Sequence, residues 1–276
     1  MLPLISIEEK KIYTTDMSQN KPLIFVTNDD GWQAKGINFL IESLVGMGEI
    51  IVVAPDGPRS GMSGAITSNL PIRCSLIKQD KENDITVYAC TGTPVDCVKL
   101  GISEIAPRKP DLLVSGVNHG SNASICVLYS GTMGAAIEGA IFKIPSIGFS
   151  LLDHSPDADF SHVEHIIKKI SRQVLSDGLP SGVCLNVNIP HSNDELKGVK
   201  VCREAMGQWV EEFKQSQDGI GKKVYWLTGH FDNDEEGAED TDEWALANGY
   251  ASVVPITVDM TAHALVEKMK DIENLF

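Results

Sequence analysis

The stretch Ile24–Trp32, IFVTNDDGW, carries an apolar run straight into two adjacent carboxylates and a glycine. With Leu23 ahead of it, the run LIFVT shows no apolar and polar alternation, the pattern of a strand covered on both faces. Asn28, Asp29, Asp30 and Gly31 are residues that turns prefer, so one reading is a well-made turn at the strand's end. The other is that Asp29 and Asp30, which repel when both are ionised, share a cation.

Working outward, short apolar runs alternate with helical patterns. GINFLIESLVGMG (36–48) has helical spacing and closes on a glycine, and IIVVAP (50–55) reads as a second strand. DITVYAC (84–90), DLLVSG (111–116), SIGFSL (146–151) and VCLNVNI (183–189) read as further strands. PVDCVKLGISEI (94–105), GTMGAAIEGAIF (131–142) and a segment near 161–175 read as the helices between them. Apolar strands separated by helices imply a doubly wound, mostly parallel α/β sheet of the Rossmann-like kind, expected over residues 21–198. Residues 1–20 read as an N-terminal extension. Residues 199–276, with KKVYWLTGHF, GYASVVPI and a tail whose Leu265, Met269, Ile272 and Phe276 lie on one helical stripe, read as a β-rich extension used for assembly.

Composition excludes several classes. The chain of 276 residues is long enough for a sizeable core, and its net charge of −15 argues against a binder of polymeric nucleic acid, which needs a basic face. An anionic substrate would therefore need a locally supplied positive charge. The six cysteines include no Cys-x-x-Cys pair, so reduced thiols in a cytoplasmic protein are expected. No apolar run approaches the ~20 residues that span a bilayer, and no membrane association is expected.

Polar loops follow the strands, where such sheets bind ligands. APDGPRSGMSGAIT (54–67) carries Arg59, Ser60, Gly61 and Ser63, and by itself reads as a glycine and serine loop. In TGTPVDCVKLG (91–101), Thr93, Pro94 and Asp96 have the spacing of a helix cap. SGVNHGSN (115–122) presents Asn118, His119 and Asn122 among glycines. Asparagine supplies a neutral oxygen ligand or an amide donor, whereas His119 reads as a solvent-facing passenger. YSGTMGAAIEG (129–139) opens a helix at Ser130, Gly131 and Thr132; this is either an ordinary cap or an anion site made by free N–H groups and the helix dipole. The acidic run 232–243 approaches a calcium-loop pattern and reads instead as a solvated loop, and GIGKK (219–223) reads as a hairpin turn.

Taken in order, VTNDDG, VVAPDGPRSGMSGAIT, TGTPVDCVKLGI, PDLLVSGVNHGSN, YSGTMGAAIEG, IPSIGFS and TDEWALANGYASVVPITVDMTAH resemble the SurE family of stationary-phase survival proteins, which are nucleoside monophosphate phosphatases. The resemblance implies one divalent cation per subunit, held by Asp29, Asp30, Ser60 and Asn118. These are hard oxygen donors that suit Mg²⁺ or Mn²⁺. It also implies catalytic roles for Asp29, Asp30 and Asn118, a phosphate cradle from Ser130, Gly131 and Thr132 with Asn122 and Gly61 as further members, and a homodimer or homotetramer. The expected reaction is hydrolysis of nucleoside 5′(3′)-monophosphates to nucleoside and phosphate by metal-activated water. A nucleoside N-glycosidase and a non-enzymatic nucleotide sensor are the alternatives, although the spread aspartate cluster of such glycosidases is absent. The sequence departs from the family pattern at Asp240, where a glycine is common, and in its first twenty residues.

Overall fold

The computed structural model describes residues 21–155, 157–191 and 196–275; the expected N-terminal extension and Phe276 of the tail stripe lie outside them. The core begins with β1 (Leu23–Thr27), α1 (Lys35–Leu44) and β2 (Glu49–Pro55), followed by β3 (Cys74–Asp80), β4 (Ile85–Cys90) and α2 (Pro94–Leu100). Next come β5 (Leu112–His119), α3 (Gly131–Ile141), β6 (Ser146–Leu152), α4 (Glu164–Asp177) and β7 (Val183–Pro190). The remainder comprises β8 (Gly198–Val201), β9 (Gly207–Val210), β10 (Phe213–Gln217), β11 (Lys223–Leu227), β12 (His230–Asn233), α5 (Asp242–Ala247) and β13 (Tyr250–Thr257).

Nine strands form one sheet in the order β3-β4-β2-β1-β5-β6-β7-β13-β8. The run from β4 to β7 is parallel throughout, and β3 and β13 pair antiparallel with β4 and β7. Side chains alternate across a strand, so β1 serves both faces. Ile24 and Val26 join Ile37, Leu40 and Ile167 in one core, while Leu23 and Phe25 join Val98, Ile102 and Leu113 in the other. The fold is thus the expected mostly parallel α/β sheet. The chain leaves β1 toward β2 on one side and later returns to β5 on the other. The β1/β5 edge is therefore the switch point, where the sheet leaves a crevice beyond its strand ends.

Four expectations need correction. Strand β3 falls in a segment assigned no element, because its residues are mostly exposed and lack an apolar face. The boundary near residue 198 is not where the sheet stops, because β8 and β13 are two of its strands and Ala251 and Val253 pack into the same core as Ile24. Not all thiols are free: Cys74 and Cys90 oppose each other in the β3–β4 register and form a disulfide, while Cys97, Cys126, Cys184 and Cys202 are unbridged. The acidic run is not wholly solvated, since Asp242 within it is buried.

The GIGKK segment does turn a hairpin, between β10 and β11, and it leaves Phe213, Ile220, Trp226 and Leu227 exposed. The tail winds through a helical turn (His263–Val266) and a 3₁₀ segment (Glu267–Leu275), with Leu265, Met269 and Ile272 exposed. Among the described residues no helix is long and apolar enough to cross a membrane.

Candidate active site

Strand β1 ends by delivering Asn28, Asp29 and Asp30 to the switch point. Asn28 donates from its amide to the Gly31 carbonyl (3.0 Å), which closes the turn, and Gly31 takes φ +96°. Asp29 is 4% exposed and accepts a 2.5 Å hydrogen bond from the Thr132 hydroxyl. Burial pushes its carboxyl up to about 6, against the Thr132 bond and with help from the Asp30 charge. Burial raises Asp30 as well, opposed by the neighbouring His119 through its imidazole and its backbone N–H.

The second loop is tied to the first through its backbone. The Arg59 N–H donates to the Asp29 carbonyl (2.6 Å), which brings Ser60, the next residue, beside Asp29. Ser60 and Gly61 are exposed, and Gly61 is needed for its φ of +71° rather than for close packing. Arg59 itself is committed to Asp56 (3.0 Å) and the Thr91 carbonyl (3.3 Å). The far end of the loop is held at Thr67 by Asp96, whose capping box with Thr93 is present as expected. Burial would raise Asp96, but the bonds from Thr67 and Thr93 outweigh it and hold the carboxyl below its ordinary range.

From β5 come Asn118 and His119. The Asn118 amide donates to the Gly120 carbonyl (3.0 Å), leaving its oxygen uncommitted. His119 is not a passenger: it is half-buried, packs edge-on against Phe160 with ring centroids 5.0 Å apart, and lies close enough to Asp30 to act on its charge. Helix α3 supplies the third side. Ser130 caps it by accepting from the Met133 N–H (3.0 Å), so the Gly131 and Thr132 N–H groups are the ones a helix leaves without an internal acceptor. Gly131 sits so close that a Cβ there would lie 2.8 Å from the Asp29 Cβ.

The structure thus gathers Asp29, Asp30, Asn118, Gly131 and Thr132, with Ser60 on the rim. Asn122 is nearby but engaged: its N–H donates to Asn188 (2.8 Å), its amide to Ser150 (2.8 Å), and its carbonyl accepts from Asn186 (2.8 Å). That role as a structural tie, and the Asn186 and Asn188 ladder behind it, escaped the sequence reading. The signal was present as two asparagines at alternate positions of an apolar strand.

Among the described residues no group of three or more His, Cys, Asp and Glu side chains is arranged for a metal, so a cation here depends on neutral oxygens beside the two aspartates. The donor set passes that test. Asp30 Oδ2 and Asn28 Oδ1 are buried without a hydrogen-bond partner, as are Thr27 Oγ1 and Ser115 Oγ on the paired strand ends. Unpaired buried oxygens and two carboxyls lifted by burial are what an acidic site shows when it is built around a positive charge.

The family model for survival protein SurE matches residues 24–211. The chain belongs to the SurE family. Two SurE relatives, both named 5′-nucleotidase SurE, come from Phocaeicola vulgatus (53% identical, covering 92% of this chain and 98% of that protein) and Flavobacterium psychrophilum (54% identical, covering 91% and 98%). A crystal structure of the SurE protein from Aquifex aeolicus superposes with a TM-score of 0.77 at 37% identity, covering 91% of this chain and all of that one. The SurE match spans the β1, β2, β5 and α3 loops that surround Asp29.

Proposed function

We propose that this chain is a divalent-metal-dependent phosphatase that hydrolyses nucleoside 5′(3′)-monophosphates to nucleoside and phosphate. Nucleotide phosphatase activity rests on family membership and on about half identity, across nine tenths of the chain, to relatives named 5′-nucleotidase. The observation that carries the metal-dependent form is Asp30 Oδ2, a carboxylate oxygen buried without a partner next to Asp29, which the N-terminus of α3 holds through Thr132.

Asp29, Asp30, Asn118 and Ser60 would hold the cation, Mg²⁺ or Mn²⁺ by donor hardness. When bound it supplies positive charge for the phosphate and acidifies a water. The protein's own groups do the rest. The Gly131 and Thr132 N–H groups, at the positive end of the α3 dipole, hold phosphoryl oxygens as their charge grows. Thr132 also fixes Asp29 through its hydroxyl, and His119 lies beside Asp30. One of these carboxylates directs the attacking water. With Arg59 turned to Asp56 and Thr91, no arginine among these loop residues is free to clamp the phosphate.

The deciding test is phosphate release from a nucleoside monophosphate, with Mg²⁺ or Mn²⁺ and after chelation. Release that requires metal is expected. Release of free base would instead favour a glycosidase, and tight binding without turnover a sensor.

We also propose a homodimer or homotetramer, supported by the exposed tail residues Leu265, Met269 and Ile272. Deleting residues 264–276 should lower the mass read by light scattering. An unchanged mass would make the tail a local segment only.

A further inference from the structure

Between the asparagine ladder and the helix that cradles phosphate lies Ser124, wholly buried, with φ +53°. A residue with a Cβ takes that left-handed conformation only where its surroundings impose it. Ser124 begins the 3₁₀ turn Ser124–Leu128, which runs into the Ser130 cap and α3. The carbonyls at the end of that turn also hold the second loop: Leu128 accepts from the Ser63 hydroxyl (2.6 Å) and Tyr129 from the Ser63 N–H (3.2 Å). The conformation at Ser124 therefore sets both the cradle and one anchor of the loop that carries Ser60.

What imposes it arrives from far along the chain. Asp242, with no exposed surface, accepts from the Ser124 N–H through Oδ2 (2.7 Å) and from the Ala205 and Glu243 N–H groups through Oδ1 (2.9 Å each). The Ser124 hydroxyl completes the ring by donating to the Ala205 carbonyl (2.9 Å). We propose that Asp242 is a positioning residue for the phosphate cradle: its carboxylate holds Ser124 in the left-handed conformation and so aims the start of α3 at Asp29. It touches neither of the two aspartates. This inference rests on the phosphatase reading for its kinetic test but not for its structural one.

Asp242→Asn keeps the shape but replaces one acceptor oxygen by an amide, so the Ser124 or Ala205 N–H loses its partner. In the metal-loaded enzyme kcat should fall roughly tenfold to a hundredfold, as for residues that orient a site from behind. Amide hydrogen exchange should quicken across 124–133 while β1 and β5 stay protected. Adding Ser124→Gly, which reaches positive φ without penalty, should restore most of both losses. Ser124→Ala with Asp242→Asn, which keeps the Cβ, should not. If Asp242→Asn does not fold, Ser124→Thr with Asp242 intact gives the same local signature, because a β-branched residue resists positive φ. Unchanged kcat, exchange that quickens over the whole sheet, or no rescue by glycine overturns the assignment. If the wild type proves to have no phosphatase activity, the exchange pattern and its glycine rescue still decide whether Asp242 sets the cradle, and they separate that failure from this one.

Discussion

Asp30→Asn and Asp29→Asn should each lower kcat for nucleoside monophosphate hydrolysis by roughly a hundredfold or more, the scale of removing a group that acts on developing charge. The folded state should survive both changes. Each carboxyl is raised by burial, so its charge is already disfavoured, and Asp30 Oδ2 has no hydrogen-bond partner to lose. A neutral amide removes that burden, and the unfolding midpoint without metal should hold or rise. The midpoint shift on adding Mn²⁺ should shrink, because a ligand stabilises a fold only as far as it binds it. On the proposed single cation, the double variant should cost little more than either single one. A variant that keeps wild-type activity in chelator, or the full Mn²⁺ shift, would sink the assignment.

Gly36→Ala should be among the most damaging single changes to stability. A Cβ at Gly36 would lie 2.0 Å from the backbone carbonyl oxygen of Val117, so α1 and β5 must separate to admit one methyl group. Overpacking against backbone sits at the upper end of its usual range, about 3 kcal/mol. For a chain of this length that corresponds to a melting point lower by roughly 6 °C. The separation also disturbs Val117 just before Asn118, so metal affinity should weaken with stability. Gly219→Ala, whose Cβ would meet nothing within 4 Å, is the control and should leave both unchanged. Equal melting points for the two variants would show that α1 does not sit as close to β5 as described.

Much of the site was legible because its signals are local. The apolar run Leu23–Thr27 breaking into Asn28–Gly31 marks a buried strand surfacing at a turn. Thr93 and Asp96 cap each other across three residues, and Ser130 caps the helix that follows it. Such features need only neighbouring backbone to declare themselves. Strand β3 was missed for the complementary reason: an edge strand with exposed side chains has no burial pattern to read, and only pairing with β4 defines it.

What the sequence determined by itself is the apolar periodicity that makes a doubly wound sheet, and the order of polar loops that ends its strands. Tertiary structure decided the fate of single polar residues. Asn122, written like a ligand, is engaged by Asn188, Ser150 and Asn186 because β6 and β7 both present partners to it. His119, written like a surface residue, is half-buried against Phe160 and beside Asp30. Asp242, one acid among many in a charged run, is buried where Ser124 meets it from 118 positions away. Burial and partnership of a polar group depend on which distant segment arrives beside it, and that depends on the packing of the whole sheet rather than on neighbours in the chain.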